Sequence, residues 1–290
     1  MSAGKPVWNV NKLSSGLVEV RCPWRNAADW EQWFLLTSDR HWDNPKSDRD
    51  LQEKHLNQAI VSGAGIIDGG DFFCAMQGTG DPRGNKSDIR PEHNNANYLD
   101  SLVETASDWV QDWDQHFIMI GRGNHETKVT ARKETDLTER LCRNMGDRGS
   151  PVVAGAYNSW VRFRFAQGDG GAVRTFNLKI YHGSGGGGAT TRGAQQINTR
   201  ATWWPDADIV MSGHIHHAWH IPVMRERLSR DGEVKEEIQH HISCPTYKRE
   251  WGGGGFAVER GFGPRPIGAY WLRFHRGGRS EVAVEVIFAT

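Results

Sequence analysis

The sequence predicts an α/β protein in which two mixed sheets pack on each other and are flanked by helices. Two patterns carry this. Early in the chain, short apolar runs of strand length stop at glycine or polar residues and alternate with stretches of helical periodicity. From Ser159 onward the pattern becomes apolar–polar alternation, the mark of half-buried strands. Helices early and strands late, with runs of strand type in both parts, suit a single domain spanning 1–290.

In order, residues 1–32 read as an N-terminal leader of little periodicity, with Val18-Glu19-Val20-Arg21 as a candidate edge strand. A strand follows at 33–38. Asp48 to Ser62 then carries Leu51, His55, Leu56, Ala59 and Ile60 at helical spacing. A second strand covers 65–68. Residues 77–95 form a long polar loop rich in Gly, Pro, Arg and Asp; loops of that length are commonly functional or disordered, and a substrate rim and a solvated insertion are both open to it. Asn97 to Trp113 is an amphipathic helix feeding a strand at 117–120, and Glu134 to Met145 is a further helix. Trp160 to Phe165 and Arg174 to Tyr181 pair as neighbouring strands. The run 218–290 is β-rich, with strands at 218–226, 235–243, 267–275 and 281–288.

The composition limits the function classes. With 290 residues, zero formal net charge and a pI near 7.2, the chain lacks the global basic footprint of a non-specific nucleic-acid binder, although a local basic groove stays open. Cys22, Cys74, Cys142 and Cys244 are far apart and make no CxxC pair, so buried reduced thiols are expected rather than a zinc knuckle or a disulfide framework. Met1 to Trp8 has no apolar core of signal-peptide length and no run approaches a membrane span. A soluble, cytoplasmic protein without membrane partners is expected. Its thirteen tryptophans are too many for a stacking surface alone, so most should be core.

The informative residues lie where the apolar runs end. Phe34-Leu35-Leu36-Thr37-Ser38 leads into Asp39-Arg40-His41. Gly65-Ile66-Ile67-Asp68-Gly69-Gly70 leads into Asp71. Phe117-Ile118-Met119-Ile120 leads into Gly121-Arg122-Gly123-Asn124-His125-Glu126, Phe176 to Tyr181 into His182-Gly183, and Ala207 to Ser212 into Gly213-His214-Ile215-His216. Every run ends in residue types that ligate metals, and strand C-terminal edges are where open α/β sheets hold ligands. Alone, each is weak; as a spaced set they are specific.

This order and spacing resembles the calcineurin-like metallophosphoesterase superfamily, whose signature is DxH, GD, GNH(D/E), H and GHxH. The resemblance runs from about Leu35 to His216. It implies a four-layer α/β/β/α sandwich, a phosphate-ester substrate and two divalent transition-metal ions. Two cations neutralise the anionic oxygens that repel a nucleophile and bring a water's ionisation near neutral pH. Such a pair calls for a bridging carboxylate, and Asp71 is the candidate. By resemblance, Asp39, His41 and His216 complete one metal, and Asn124, His182 and His214 the other. In an extended segment Asp39 and His41 would face one ion together, while a loop would let His214 and His216 diverge. Mixed nitrogen and oxygen ligands suit Mn, Fe, Zn, Ni or Co rather than Ca, affinity order alone does not choose among them, and manganese is the metal expected first. The His equivalent to His125 protonates the leaving oxygen or steadies the phosphoryl group in the family, and an imidazole pKa suits general acid work. Glu126 is the candidate to orient it.

Further residues have two readings each. Arg40 and Arg122 are candidate phosphate contacts or ion-pair partners, and Arg192, at a predicted helix start after Thr190-Thr191, is a third substrate candidate. Gly183 to Gly188 reads as an anion cradle or a lid, and Trp203-Trp204-Pro205 as a stacking or packing element. His217 and His220 read as ordinary strand residues; Tyr247, Lys248 and Gly252 to Gly255 lie where the family builds specificity. Arg83, Lys86, Arg90, Arg192 and Arg200 are candidates for a basic groove. Many family members carry Asp or Asn three residues after the bridging Asp; here that position is Cys74. The Gly70-Asp71-Phe72-Phe73 form is similar to the nuclease branch. The expected activity is therefore phosphodiester hydrolysis, with nucleic acid among the substrates open to it. The alternatives are a phosphomonoesterase or nucleotidase, and a non-catalytic scaffold.

Overall fold

The computed structural model describes residues 6–75, 88–168, 171, 173–188, 190–229, 231–251, 258, 261, 263–278 and 281–290. Its strands are β1 (Asn9–Ser14), β2 (Leu17–Pro23), β3 (Glu31–Thr37), β4 (Gly65–Asp68), β5 (Phe117–Ile120), β6 (Val153–Ala154), β7 (Asn158–Ala166), β8 (Val173–Tyr181), β9 (Ile209–Ser212), β10 (Trp219–Leu228), β11 (Val234–Ser243), β12 (Ala269–Arg276) and β13 (Val282–Ala289). The helices are α1 (Arg49–Ser62), α2 (Tyr98–Val110), α3 (Asn124–Lys133), α4 (Leu137–Asp147) and α5 (Ile197–Trp203).

Two mixed sheets result, one ordered β1-β2-β7-β8-β9-β11-β10 and the other β13-β12-β3-β4-β5-β6. In the second, β3, β4, β5 and β6 run parallel, and β12 closes antiparallel on β3. Strand alternation sorts most side chains into two apolar layers; β5 departs from it, its register against β4 shifting so that Ile118 and Met119 join the same layer. Phe34, Leu36, Ile67, Ile118 and Met119 face the other sheet, where they meet Val161, Phe163, Leu178, Ile180, Ile209 and Met211. Leu35, Ile66, Phe117 and Ile120 point the other way, against Leu56 of α1, Leu102 and Val103 of α2 and Leu141 and Met145 of α4. Aromatic rings join the two sheets: Phe34 lies 4.5 Å from Phe163, and Phe274 lies 4.8 Å from Phe165. α5 adjoins the larger sheet, where Arg200 donates to Ser212 at the end of β9 at 2.7 Å. The two mixed sheets with helices outside are the α/β/β/α arrangement expected from the sequence.

Three expectations are corrected. The described part of the expected leader, residues 6–32, is built into the fold: β1 and β2 belong to the larger sheet, and β2 pairs parallel with β7 from Leu17↔Trp160 to Pro23↔Ala166. Val18 to Arg21 is therefore interior, with β1 at the edge; its short, half-exposed sequence gave little periodicity to detect. Asn124-His125-Glu126 forms the first turn of α3, which Gly123 opens from an extended conformation while Glu126 accepts the Gly123 amide at 2.8 Å. Thr190 and Thr191 lie in turns before α5 rather than starting a helix. Residues 77–87 of the long polar loop, with Arg83 and Lys86, and the run Gly252 to Gly255 lie outside the described residues.

All four cysteines are free and buried. Among the described residues, no helix is long and apolar enough to cross a membrane. Phe163 is fully buried where the sheets meet. Phe163→Ala should lower unfolding stability by about 3–5 kcal/mol, read from denaturant curves, and a loss below about 1 kcal/mol would contradict this account of the core.

Candidate metal centre

The strand ends of both sheets converge at one edge of the sandwich. Asp39 and His41 follow β3, Asp71 follows β4, Asn124 follows β5, His182 follows β8, and His214 and His216 follow β9. Two groups of ligand atoms form, each lying within 4.8 Å of one another: Asp39, His41 and His216, and Asp71, His182 and His214. Asn124 adjoins the second group, its Oδ1 lying 2.6 Å from His214 Nδ1.

The backbone that presents these side chains is unusual. Asp39 (φ 51°), His41 (43°), Asp71 (53°), His214 (69°) and His216 (55°) all occupy the left-handed region. Each such conformation costs a non-glycine residue about 1–3 kcal/mol, and clusters of them mark functional sites. Asp39 and His41 thus reach one group from tight corners rather than from the extended segment expected. Hydrogen bonds hold the corners together: the Asp39 amide donates to Gly70 O (2.9 Å), the His41 amide to Asp71 O (3.0 Å), and Gly213 N to His182 O (2.9 Å). A methyl group at Gly123 would overlap the Asp71 carboxylate, and one at Gly213 the Asp39 carboxylate and Ser38 hydroxyl. These two glycines are what allow the loops to close on the acids.

Both carboxylates are used in the same way. Asp39 Oδ2 accepts from the Ser38 hydroxyl (2.6 Å) and the His214 amide (2.9 Å), while Oδ1 faces His216 Nε2 (3.1 Å) and His41 Nε2 (3.9 Å). Asp71 Oδ1 accepts from the His125 amide (2.9 Å), while Oδ2 faces His182 Nε2 (3.1 Å) and His125 Nε2 (3.8 Å). In each acid one oxygen is tied to the backbone and the other turns towards imidazole nitrogens.

Those nitrogens are poised as ligands. His182 Nδ1 lies 3.1 Å from Gly69 O, which can only accept, so Nδ1 carries a hydrogen. Its Nε2 is buried, close to Asp71 and out of line for a hydrogen bond. His216 Nδ1 is likewise 3.1 Å from the Glu250 carboxylate, leaving Nε2 for Asp39 and, at 3.2 Å, His41 Nε2. Carboxylate oxygens and imidazole lone pairs this close need positive charge between or upon them. The groups could each hold a divalent cation, which would meet that need, and the donor set, nitrogen with oxygen, fits a transition metal. Without a metal the charge must be protons. Against the downward push of burial, Asp71 and Asp39 hold His182 up to about 9, and Glu250 and Asp39 hold His216 up to about 10. Burial, then the neighbouring His125 and His216 charges, keeps His41 well below the usual imidazole range. Burial would raise Asp71, but His182 and His125 bring it well below the usual carboxylate range.

His125, half-buried, anchors Nδ1 on the Cys74 carbonyl at 2.6 Å and turns Nε2 towards Asp71. Glu126 does not orient it. The Glu126 carboxylate is buried and accepts the amides of Asp71 (3.1 Å), Phe73 (2.9 Å) and Gly123 (2.8 Å), clamping the β4 and β5 loops together. Its position at the third residue of α3 aims it back at the helix start, away from the His125 ring. Burial and then the Asp71 charge push it well above the usual carboxylate range.

The arginines lie elsewhere. Arg40 is fully buried and donates to Asp68 (2.7 Å), Gln52 (3.1 Å) and Thr37 (3.0 Å), so it does not face a substrate. Arg122 pairs with Asp136 (2.6 Å), Glu139 (3.4 Å) and the Gly155 carbonyl. Arg200 is buried on Ser212 and Gln196 (both 2.7 Å), and Arg90 donates to the Ser47 carbonyl (3.1 Å). Arg192 is exposed in a left-handed turn. Arg83 and Lys86, the other candidates for a basic groove, lie outside the described residues. His220 stacks on His240 in the β10–β11 hairpin.

Sequence reasoning missed Glu250, which holds His216, and Asp43, whose carboxylate accepts the Cys74 (2.5 Å) and Ala75 (2.9 Å) amides. Glu250 lies in a stretch with no motif, and Asp43, two residues beyond His41, reads in the sequence as one more polar residue of the loop after β3. Lys248 Nζ lies 3.8 Å from Glu250, on the same side of the site.

No protein-family model matches the chain, and no curated protein matches it in sequence. Among solved structures it is similar to zinc-complexed Vps29 from Entamoeba histolytica (10% identity, TM-score 0.35, covering 89% of this chain and 100% of that one). It is also similar to a predicted phosphoesterase from Streptococcus pneumoniae (11%, 0.30, 89% and 99%). A third is GAP50, the anchor in the inner membrane complex of Plasmodium (12%, 0.40, 90% and 89%). These are distant likenesses of chain course.

The raised imidazoles make metal loading a proton exchange. At pH 7 the metal-free chain holds His182 and His216 protonated, so loading should release about two protons per chain. Because both folded values lie above the ordinary imidazole pKa, this ion pairing is complete below that pKa and is lost as pH rises through about 9 and then about 10. Calorimetry in two buffers of different ionisation enthalpy reads the release. Heats that do not depend on the buffer at pH 7 would contradict it.

Proposed function

We propose that the chain is a dinuclear metal-dependent phosphoester hydrolase acting on phosphodiesters, with nucleic acid as a substrate class and manganese as the first metal to test. The observation that carries the reading is the pair of buried ligand groups, Asp39/His41/His216 and Asp71/His182/His214, meeting at one sheet edge with His125 beside them. Bound there, two cations supply charge neutralisation for a phosphate and lower the pKa of water. The residues themselves do the rest. Asp71, with one oxygen fixed by the His125 amide, keeps the other for the metals. Asn124 adds a neutral amide oxygen that completes a site without adding charge. His125 keeps its ring fixed through Nδ1, so Nε2 is the nitrogen that can hand a proton to a departing alkoxide. Glu250 sets the His216 ring through Nδ1, the carboxylate–histidine pairing that fixes a ligand's orientation and tautomer.

The diester preference rests on the Gly70-Asp71-Phe72-Phe73 form and on Cys74 in place of a further polar residue. Phe72 and Phe73 are both fully buried, so they act by packing the loop rather than by touching a substrate. The test is a paired assay of a chromogenic phosphate diester and its monoester, with manganese and with chelator. Manganese-dependent diester cleavage with little monoester turnover is expected; monoester preference would favour a phosphomonoesterase or nucleotidase, and no turnover with both metals bound would favour a scaffold. His125→Ala should retain the metals and lose roughly 10²–10⁴-fold in rate. Loss of the metals from that variant would overturn the division between ligands and acid.

A further inference from the structure

The four cysteines are not equivalent. Cys22 and Cys244 belong to the apolar layer between the sheets, and Cys142 to the layer under the helices. Cys74 is as buried as they are but belongs to neither. Its sulfur sits among imidazoles: Cys74, His41 and His125 bring ligand atoms within 4.8 Å of one another. The two rings are 4.9 Å apart at 75°, edge to face.

Three details make this a built position. Asp43 fixes the Cys74 amide at 2.5 Å, and Asn44 Nδ2 approaches the sulfur at 3.4 Å, so the residue is held and its sulfur already acts as an acceptor. The His125 ring is anchored through Nδ1 and presents Nε2. His41 directs Nε2 at His216 and Asp39 while its Nδ1 is buried without a hydrogen-bond partner, and since a neutral imidazole has one lone pair, the ring can serve this group or the Asp39/His216 group but not both at once.

We propose that Cys74, His125 and His41 form an alternative, inhibitory cation position that competes with the Asp39/His41/His216 group for His41 and is selective for soft divalent ions such as zinc and cadmium. Binding breaks the Cys74 S–H bond, forms a sulfur–metal bond and releases the proton to solvent, with no change of oxidation state. Thiolate and imidazole select soft ions, while magnesium and manganese prefer oxygen ligands. An ion held here occupies His125 and removes it from proton transfer. Its inhibitory effect rests on the proposed hydrolase reading, whereas its occupancy can be observed without turnover.

The test is a cadmium titration of the full, chelator-stripped chain, followed by the ultraviolet thiolate-to-cadmium charge-transfer band. The native chain and Cys142→Ser should develop the band, and Cys74→Ser should lose it. Manganese should produce none. A band that persists in Cys74→Ser, or no band in the native chain, overturns the proposal. Should Cys74→Ser fail to fold, cadmium-113 NMR of the native chain decides. One resonance shifted by a sulfur ligand supports the site; resonances confined to the nitrogen and oxygen range refute it.

Discussion

Two buried carboxylates, Asp39 and Asp71, impose the constraint from which the rest of the site follows. An acid taken out of water needs charge or hydrogen bonds in compensation. Here each acid receives both, from different sources. One oxygen is satisfied by a backbone amide contributed from another strand's loop: His214 for Asp39, His125 for Asp71. The other oxygen meets only imidazole nitrogens. The backbone bonds settle where the carboxylates point, and the imidazoles settle what can lie between them.

This explains why the ligands come from both sheets and why their backbones are strained. A single strand end cannot surround a cation. Tight left-handed corners at Asp39, His41, Asp71, His214 and His216 fold the loops back over the sheet edge. Such conformations persist only where the surroundings overdetermine them. The surroundings here are the two apolar layers beneath, the ladder that continues from Asp39 to Gly70 and from His41 to Asp71, and the Glu126 clamp. Arg40 belongs to the same support: its pair with Asp68 is wholly buried, and its other two nitrogens each donate to one partner, Gln52 and Thr37. Removing one member of such a pair typically costs about 3–5 kcal/mol, so Arg40 is a support rather than a reader of substrate.

Much of this was legible in the chain because the code is local. A strand that must be buried on both faces is a short unbroken apolar run, and β4 and β5 fall where those runs fall. The ligands were legible because each sits within a few residues of such a run. What stayed hidden depends on contacts between distant segments. Glu250 reaches His216 from a stretch with no motif, and Glu126 was assigned to His125 by adjacency although helix geometry turns it to the Asp71 loop. β1 and β2 looked like a leader because the partner that makes β2 a strand, β7, is far along the chain. Arg40 looked available between two ligands; only the fold shows Asp68 beneath it.

The central claim is that these two acids each form half of a paired cation site. The most direct measurement is anomalous diffraction from crystals of the full chain soaked in manganese. Two peaks are predicted, one among Asp39, His41 and His216 and the other among Asp71, His182 and His214. A single peak shared by all these residues, or none at saturating metal, would contradict the account.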